Sequence, residues 1–206
     1  MRSRPSTTIR NPYRDEFLAA MERLGRHDGA RTEELYRRRS ELIGRYAFAV
    51  PDDRAIGLLV RLAPIVEIGA GNGYWAWCLA QAGADVIALD KFSPDGALYD
   101  SAAPCGVENT WFDDEWRPVL RADETAAGAH PDRTLFLCWP DPRSYMAHTA
   151  LAAYRAAGGR RLVYIGDPAS SGDPRFHAAL ETLACVERFR IESWPCCDEW
   201  CAHYEI

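Results

Sequence analysis

No apolar run in the 206 residues approaches the roughly 18 needed to span a bilayer, so no membrane partner is expected. The first residues, MRSRPSTTIRNPYR, are basic but have no apolar core, which excludes a secretory signal. A short, loosely attached tail over 1–11 is a plainer reading of them than a transit peptide. Positive charge is in deficit: 24 basic against 30 acidic side chains leave a net charge of −6 and a pI near 5.4. Nucleic acid wants a basic face and is therefore not the expected partner. Repeats, low-complexity tracts and long linkers are also missing. Apolar residues at 48% and charged ones at 26% are ordinary for one globular domain. The seven cysteines, odd in number and without a secretion signal, read as reduced thiols in a cytoplasm. Cys196, Cys197, Cys201 and His203 carry donors suited to zinc, but they lack a C-x-x-C knuckle and a matching half-site. Half-buried thiols fit better, and no metal is expected.

What is present is concentrated in 65–92, IVEIGAGNGYWAWCLAQAGADVIALDKF. Ile65, Val66 and Ile68, set off by Pro64 and Gly69, suit a strand buried on both faces. Gly69, Gly71 and Gly73 alternate through a turn, where glycine tolerates positive φ and lets a ligand approach the backbone. A helix is predicted over 74–82, stopped by Gly83, and a second strand over 85–89 with Asp90 at its carboxyl end. Asp90 follows Gly69 by about 20 positions, the separation at which an acid accepts ribose hydroxyls in a βαβ nucleotide site. The turn amides and helix N-terminus favour an anionic or polar group. G-x-G-x-x-G would require glycine at position 74, where Tyr74 stands.

The spacing Glu67-x-Gly69-x-Gly71-x-Gly73, closed by Asp90, resembles the first motif of class I S-adenosylmethionine (SAM) methyltransferases. The resemblance extends from about residue 45 to the end, through VEIGAGNGYWA, LCWP and YIGD, to an uncharacterised methyltransferase-like group. Two departures lie at the presumed substrate edge. The group's Pro-Pro is Pro140-Asp141 here, and its acid after Y-I-G is Asp167, one methylene shorter. The resemblance implies an α/β, Rossmann-like, seven-stranded and mostly parallel sheet with helices on both faces and an antiparallel last strand. SAM is the implied cofactor, with Glu67, Gly69, Gly71, Gly73, Tyr74 and Asp90 around it. The acid near the end of the third strand, Asp123, is implied at the adenine amino group. The turn after the fourth strand, Trp139-Pro140-Asp141-Pro142, lies where amino-group methyltransferases carry an Asp/Asn-Pro-Pro-aromatic turn; the likeness is positional, not literal. Trp139 is implied as a wall of the ligand pocket.

Helices are expected over 12–24, 32–46 and 52–62, the first burying Phe17, Leu18, Met21 and Leu24. Residues 1–50 read as a helical extension packed on a binding domain over 51–206. Tyr46 and Phe48 either roof the ligand or pack the extension onto the sheet. Residues 91–109 read as loop, and further strands are expected over 116–120, 134–138, 161–165, 185–191 and 201–206. Helices are expected over 144–156 and from 173 or 174 to 183. Asp141, Tyr145 and Asp167 are the candidates for acid–base or anchoring work, with His148 behind them. Tyr74, Trp75 and Trp139 can lie against a sulfonium through cation–π contact, although core packing is the default for Trp75 and Trp77. The function these features support is methyl transfer from SAM to a small molecule, at an N, O or S nucleophile. The rivals are an enzyme that cyclises or cleaves the SAM side chain, a non-catalytic nucleoside-binding module and an NAD-linked enzyme. A homodimer is left open.

Overall fold

The computed structural model describes residues 9–24, 32–91, 112 and 114–206. The expectations for 1–8, for the break at 25–29 and for most of the 91–109 loop lie outside them. Seven strands form one sheet in the order β3-β2-β1-β4-β5-β7-β6. They are β1 (Ile65–Ile68), β2 (Val86–Asp90), β3 (Leu120–Arg121), β4 (Thr134–Cys138), β5 (Arg161–Gly166), β6 (Ala184–Arg190) and β7 (Trp200–Glu205). Strands β1 to β5 pair in parallel, whereas β7 runs antiparallel to both β5 and β6. Among the described residues six α-helices accompany them: α1 (Pro12–Leu24), α2 (Thr32–Arg45), α3 (Asp53–Arg61), α4 (Tyr74–Gln81), α5 (Met146–Ala156) and α6 (Pro174–Leu180).

Side-chain alternation along the strands sorts the core into two layers. Ile65, Phe136 and Val163 pack with residues of α1 to α4, whereas Val66, Ile68, Leu135, Leu137 and Leu162 pack with α5 and α6. Both faces of the sheet are thus covered, as its near-continuous apolar strands require. The N-terminal helices join the first layer through specific contacts. Asn11 Oδ1 caps α1 at the Arg14 N–H, 3.1 Å, and accepts from the Tyr74 hydroxyl at 2.8 Å. Trp194, fully buried, donates from Nε1 to the Tyr13 hydroxyl at 3.1 Å.

Three local expectations are corrected. On α1 the buried face is Tyr13, Phe17 and Ala20, and Leu18 is 44% exposed; one position on a helix turns a side chain by about 100°. The third strand is not 116–120 but only Leu120–Arg121. Trp116 is diverted instead to the glycine turn, its N–H donating to the Asn72 carbonyl at 2.9 Å and its Nε1–H to the Arg45 carbonyl at 2.6 Å. A 3₁₀ helix, Glu124–Ala129, follows where no element was expected, started by the Asp123 carboxylate accepting from the Thr125 N–H.

Candidate functional site

The glycine turn joins β1 to α4, with φ of +77° at Gly69, +58° at Gly71 and +78° at Gly73. These left-handed values account for glycine at all three positions. Their bare backbone is closely covered. A Cβ at Gly69 would collide with the Met146 methyl, and one at Gly71 would stand 2.5 Å from the Phe112 ring. One at Gly73 would meet the Arg117 carbonyl at 2.6 Å. Opposite the turn, the Asp90 carboxylate accepts from the Gly71 N–H at 2.7 Å and is 8% exposed. The turn and the acid are therefore brought together as the motif spacing predicts.

Above them lies a cavity of about 390 Å³, over the carboxyl ends of β1, β2 and β4. In an open α/β sheet this is the crevice where ligands bind, and the volume suits one small molecule. Glu67, Gly69, Gly71, Tyr74 and Asp90 line it, and so do Trp139, Asp141 and Tyr145. Gly73, Asp123 and Asp167 do not reach its wall. Gly73 is the left-handed cap of α4 and packs on 117–119. Asp123 is occupied with capping, its Oδ1 accepting from the Thr125 N–H at 2.9 Å. Asp167 spends both oxygens on turns, accepting from the Ala169 N–H at 2.9 Å and the Asp198 N–H at 3.2 Å. His148 is likewise absent from the wall, while Thr149 is on it.

Several wall residues escape sequence reasoning. Glu124, next to Asp123, takes the position at the cavity, and Lys91, the one lysine in the chain, stands beside Asp90. Phe112 and Met146 carry no motif at all. Tyr46 and Phe48 are at the cavity and also join the extension to its neighbours. Each lines the cavity; Tyr46 also stacks on Tyr13 at 5.2 Å, and Phe48 on Trp139 at 5.7 Å. Trp75 lines the cavity and packs edge-on against Phe136 at 5.4 Å, and Trp77 packs at a tilt against Trp116 at 4.9 Å.

The wall is acidic, with Glu67, Asp90, Glu124 and Asp141 against Lys91. That is a setting for a cationic ligand. The groups differ in state. Burial pushes Glu67 up to about 8, the nearby Asp90 adds to this, and the Ala76 amide opposes it. Its Oε2 has no hydrogen-bond partner among the described residues. Asp141 is also pushed up by burial, but Arg143 outweighs that and holds it below the usual carboxylate range. Arg143 donates from Nε and Nη2 to the two Asp141 oxygens, each at 3.0 Å. Tyr145 is 54% exposed, with the Arg175 guanidinium 4.3 Å from its ring centre.

The Glu67 shift has a consequence for stability. Between the unfolded value of 4.5 and about 8, the folded chain keeps a proton that the unfolded chain has lost. Stability therefore falls as pH rises through this window, by on the order of 1 kcal/mol per pH unit. Glu67→Gln removes that contribution. Urea denaturation at pH 5 and pH 8 is expected to show the variant gaining on the wild type at the higher pH; an unchanged difference would place an ionised Glu67 in the fold.

Among the described residues, no group of three or more His, Cys, Asp and Glu side chains is placed to hold a metal ion. Cys196 and Cys197 have their sulfurs 3.7 Å apart, and both are free thiols. No helix among the described residues is long and apolar enough to cross a membrane.

The fold and the crevice define a Rossmann-like α/β protein, with a mostly parallel seven-stranded sheet and one reversed strand, β7. No protein-family model matches the chain, and no curated protein sequence matches it. Solved structures do. Magnesium protoporphyrin IX methyltransferase from Synechocystis, with bound SAM, is 11% identical, covers 92% of this chain and 90% of its own, and has a TM-score of 0.48. The tRNA (uracil-54, C5)-methyltransferase of Pyrococcus abyssi, in complex with S-adenosylhomocysteine, is 15% identical over 77% of this chain and 40% of its own, with a TM-score of 0.43. An rRNA methylase from Streptococcus thermophilus is 13% identical over 74% and 92%, with a TM-score of 0.40. Identities and TM-scores this low leave the question of ligand and reaction to the crevice itself.

Proposed function

We propose that the protein is a SAM-dependent methyltransferase acting on a small molecule. One observation carries this reading: Asp90 and the Gly69–Gly71 turn meet across a cavity at the carboxyl edge of the sheet, joined by the Gly71 N–H to Asp90 bond. With Glu67 holding its proton and Asp141 paired to Arg143, Asp90 and Glu124 against Lys91 leave one negative charge in excess, which suits a ligand bearing a sulfonium and an ammonium. On this reading Asp90 holds the ribose, and Glu67, Gly69, Gly71 and Tyr74 surround the methionine part. On the same reading Glu124, which lines the cavity where Asp123 does not, is the acid offered to the adenine amino group. Residues 51–206 form the binding domain, and the helices of 1–50 are an extension that closes it through Tyr46 and Phe48.

SAM, when bound, supplies a methyl group already activated for in-line displacement. The chain's own residues then have three tasks: to hold the acceptor in line, to exclude water and to receive a proton. Alignment of this kind is worth roughly 7–11 kcal/mol in well-oriented intramolecular reactions. Phe48, Trp139 and Phe112 exclude water, and Asp141 and Tyr145 face the acceptor. The net charge of −6 argues against nucleic acid as acceptor and favours a small molecule. A cytoplasmic setting fits the free thiols.

One feature favours a second reading, in which SAM is itself transformed. Arg143 engages both oxygens of Asp141, which removes the most obvious group for orienting a nucleophile. Incubation with SAM and a metabolite extract, followed by mass spectrometry, separates the two. S-adenosylhomocysteine is expected; methylthioadenosine would favour side-chain chemistry, and neither product would favour a binding module.

A further inference from the structure

Glu199 does not line the cavity, yet it reaches a residue that does. The Trp139 indole donates from Nε1 to Glu199 Oε1 at 2.6 Å. Glu199 is 1% exposed, and its Oε2 has no hydrogen-bond partner among the described residues. Trp139 is the one non-glycine residue among those described with a positive φ, 50°. It also precedes Pro140, and a residue before proline is steered towards extended backbone. A bulky side chain on a left-handed backbone persists only where its surroundings hold it.

Four contacts do so. The Trp139 N–H donates to the Ile165 carbonyl at 2.8 Å, which fixes the main chain. Phe48 stacks on the ring at 5.7 Å, and the Arg39 guanidinium of α2 lies 5.5 Å from its centre. Stacking and cation–π contact tolerate sliding of the ring in its plane. The bond to Glu199 does not, because it points along one N–H. It comes from a residue 60 positions away, on the segment entering β7.

We infer that Glu199 is a positioning residue, which sets the cavity wall at the end of β4 by fixing the Trp139 indole. The inference rests on the cofactor reading only for what that wall encloses. A buried carboxyl group is an expensive way to accept one hydrogen bond, and an amide would serve as well. What the carboxyl group adds is titration. Burial pushes it up to about 8; the Trp139 indole and Arg39 pull it down, and Asp167 pushes it up. Tyr13, Cys138 and Cys197 also lie within its field. Ionisation converts the Trp139 bond into a charge-assisted one and strengthens the pull of Arg39. The wall is then held more firmly above neutral pH than below it.

The test follows the indole N–H of Trp139 by ¹⁵N–¹H correlation spectroscopy, assigned as the signal among the chain's seven tryptophans that Trp139→Phe removes. SAM affinity is measured alongside by calorimetry. In the wild type the signal is expected to move with pH through about 8 and to shift on addition of SAM. Glu199→Gln should abolish the pH dependence and keep wild-type affinity at neutral pH. Glu199→Leu should displace the signal, leave the other tryptophan signals in place and weaken SAM binding about tenfold, the effect of one lost hydrogen bond at a ligand wall. If the wild type binds SAM and Glu199→Leu alters neither signal nor affinity, the inference falls and the cofactor reading stands. If the leucine variant fails to fold, a Trp139 signal that still titrates in Glu199→Gln overturns the inference, and one that stays still supports it. If the wild type takes up no SAM while the Trp139 signal follows Glu199, the cofactor reading falls and the positioning role stands.

Discussion

Asp90→Ala is expected to lower SAM affinity by about 100-fold or more while leaving the fold in place. A hydrogen bond to a charged group contributes about 1.5–3 kcal/mol, and a ribose offers two hydroxyls to this carboxylate. Asp90 is 8% exposed, so water does not readily replace what it supplies. The same carboxylate accepts from the Gly71 N–H at 2.7 Å, so the alanine also frees that N–H, while the Gly69 and Ala70 N–H groups still hold the turn to the Leu89 carbonyl of β2. Asp90→Asn separates the two effects, since an amide oxygen can still accept from Gly71 but carries no charge. Calorimetry with SAM, with circular dichroism as a check on folding, measures both variants. An unchanged dissociation constant in Asp90→Ala would remove Asp90 from the ligand site.

Gly71→Val is expected to lose SAM binding altogether and to lower the melting temperature. At φ +58° a β-branched side chain is strained, at a cost of about 1–3 kcal/mol. Its Cβ would stand 2.5 Å from Phe112 Cε2 and 2.7 Å from its Cζ, so the ring must leave the turn. Relaxation of the strained backbone moves the N–H that meets Asp90. Gly71→Ala carries the same Cβ without the branch and should show a smaller loss of both stability and affinity. Wild-type affinity in the valine variant would show that this stretch of main chain plays no part in binding.

Both predictions use residues that are legible from the chain alone. A short apolar run, three glycines two apart and an acid after the next strand are local patterns, each set by backbone geometry over a few residues. They fold as expected: β1 at Ile65–Ile68, α4 from Tyr74, and Asp90 closing β2. Strand β4 at Thr134–Cys138 and helix α1 at Pro12–Leu24 are equally plain, because a short apolar run and an asparagine–proline start are unambiguous. The third strand was not legible. Trp116 has the composition of a strand residue, but its hydrogen bonds to Asn72 and Arg45 draw it to the glycine turn.

The family resemblance implied the seven-stranded sheet, and the chain by itself determined the βαβ unit and the pairing of a glycine turn with one acid. Those features depend on periodicities of two and 3.6 residues and on where glycine tolerates positive φ. Tertiary structure alone decided which of two neighbouring acids faces the cavity, since Asp123 is drawn into a cap and Glu124 is left at the wall. It also placed Met146 and Phe112 over the glycines and set Glu199 behind Trp139. These choices join residues far apart in sequence, and the free energy that settles them comes from packing and hydrogen bonds that exist only once the sheet has closed.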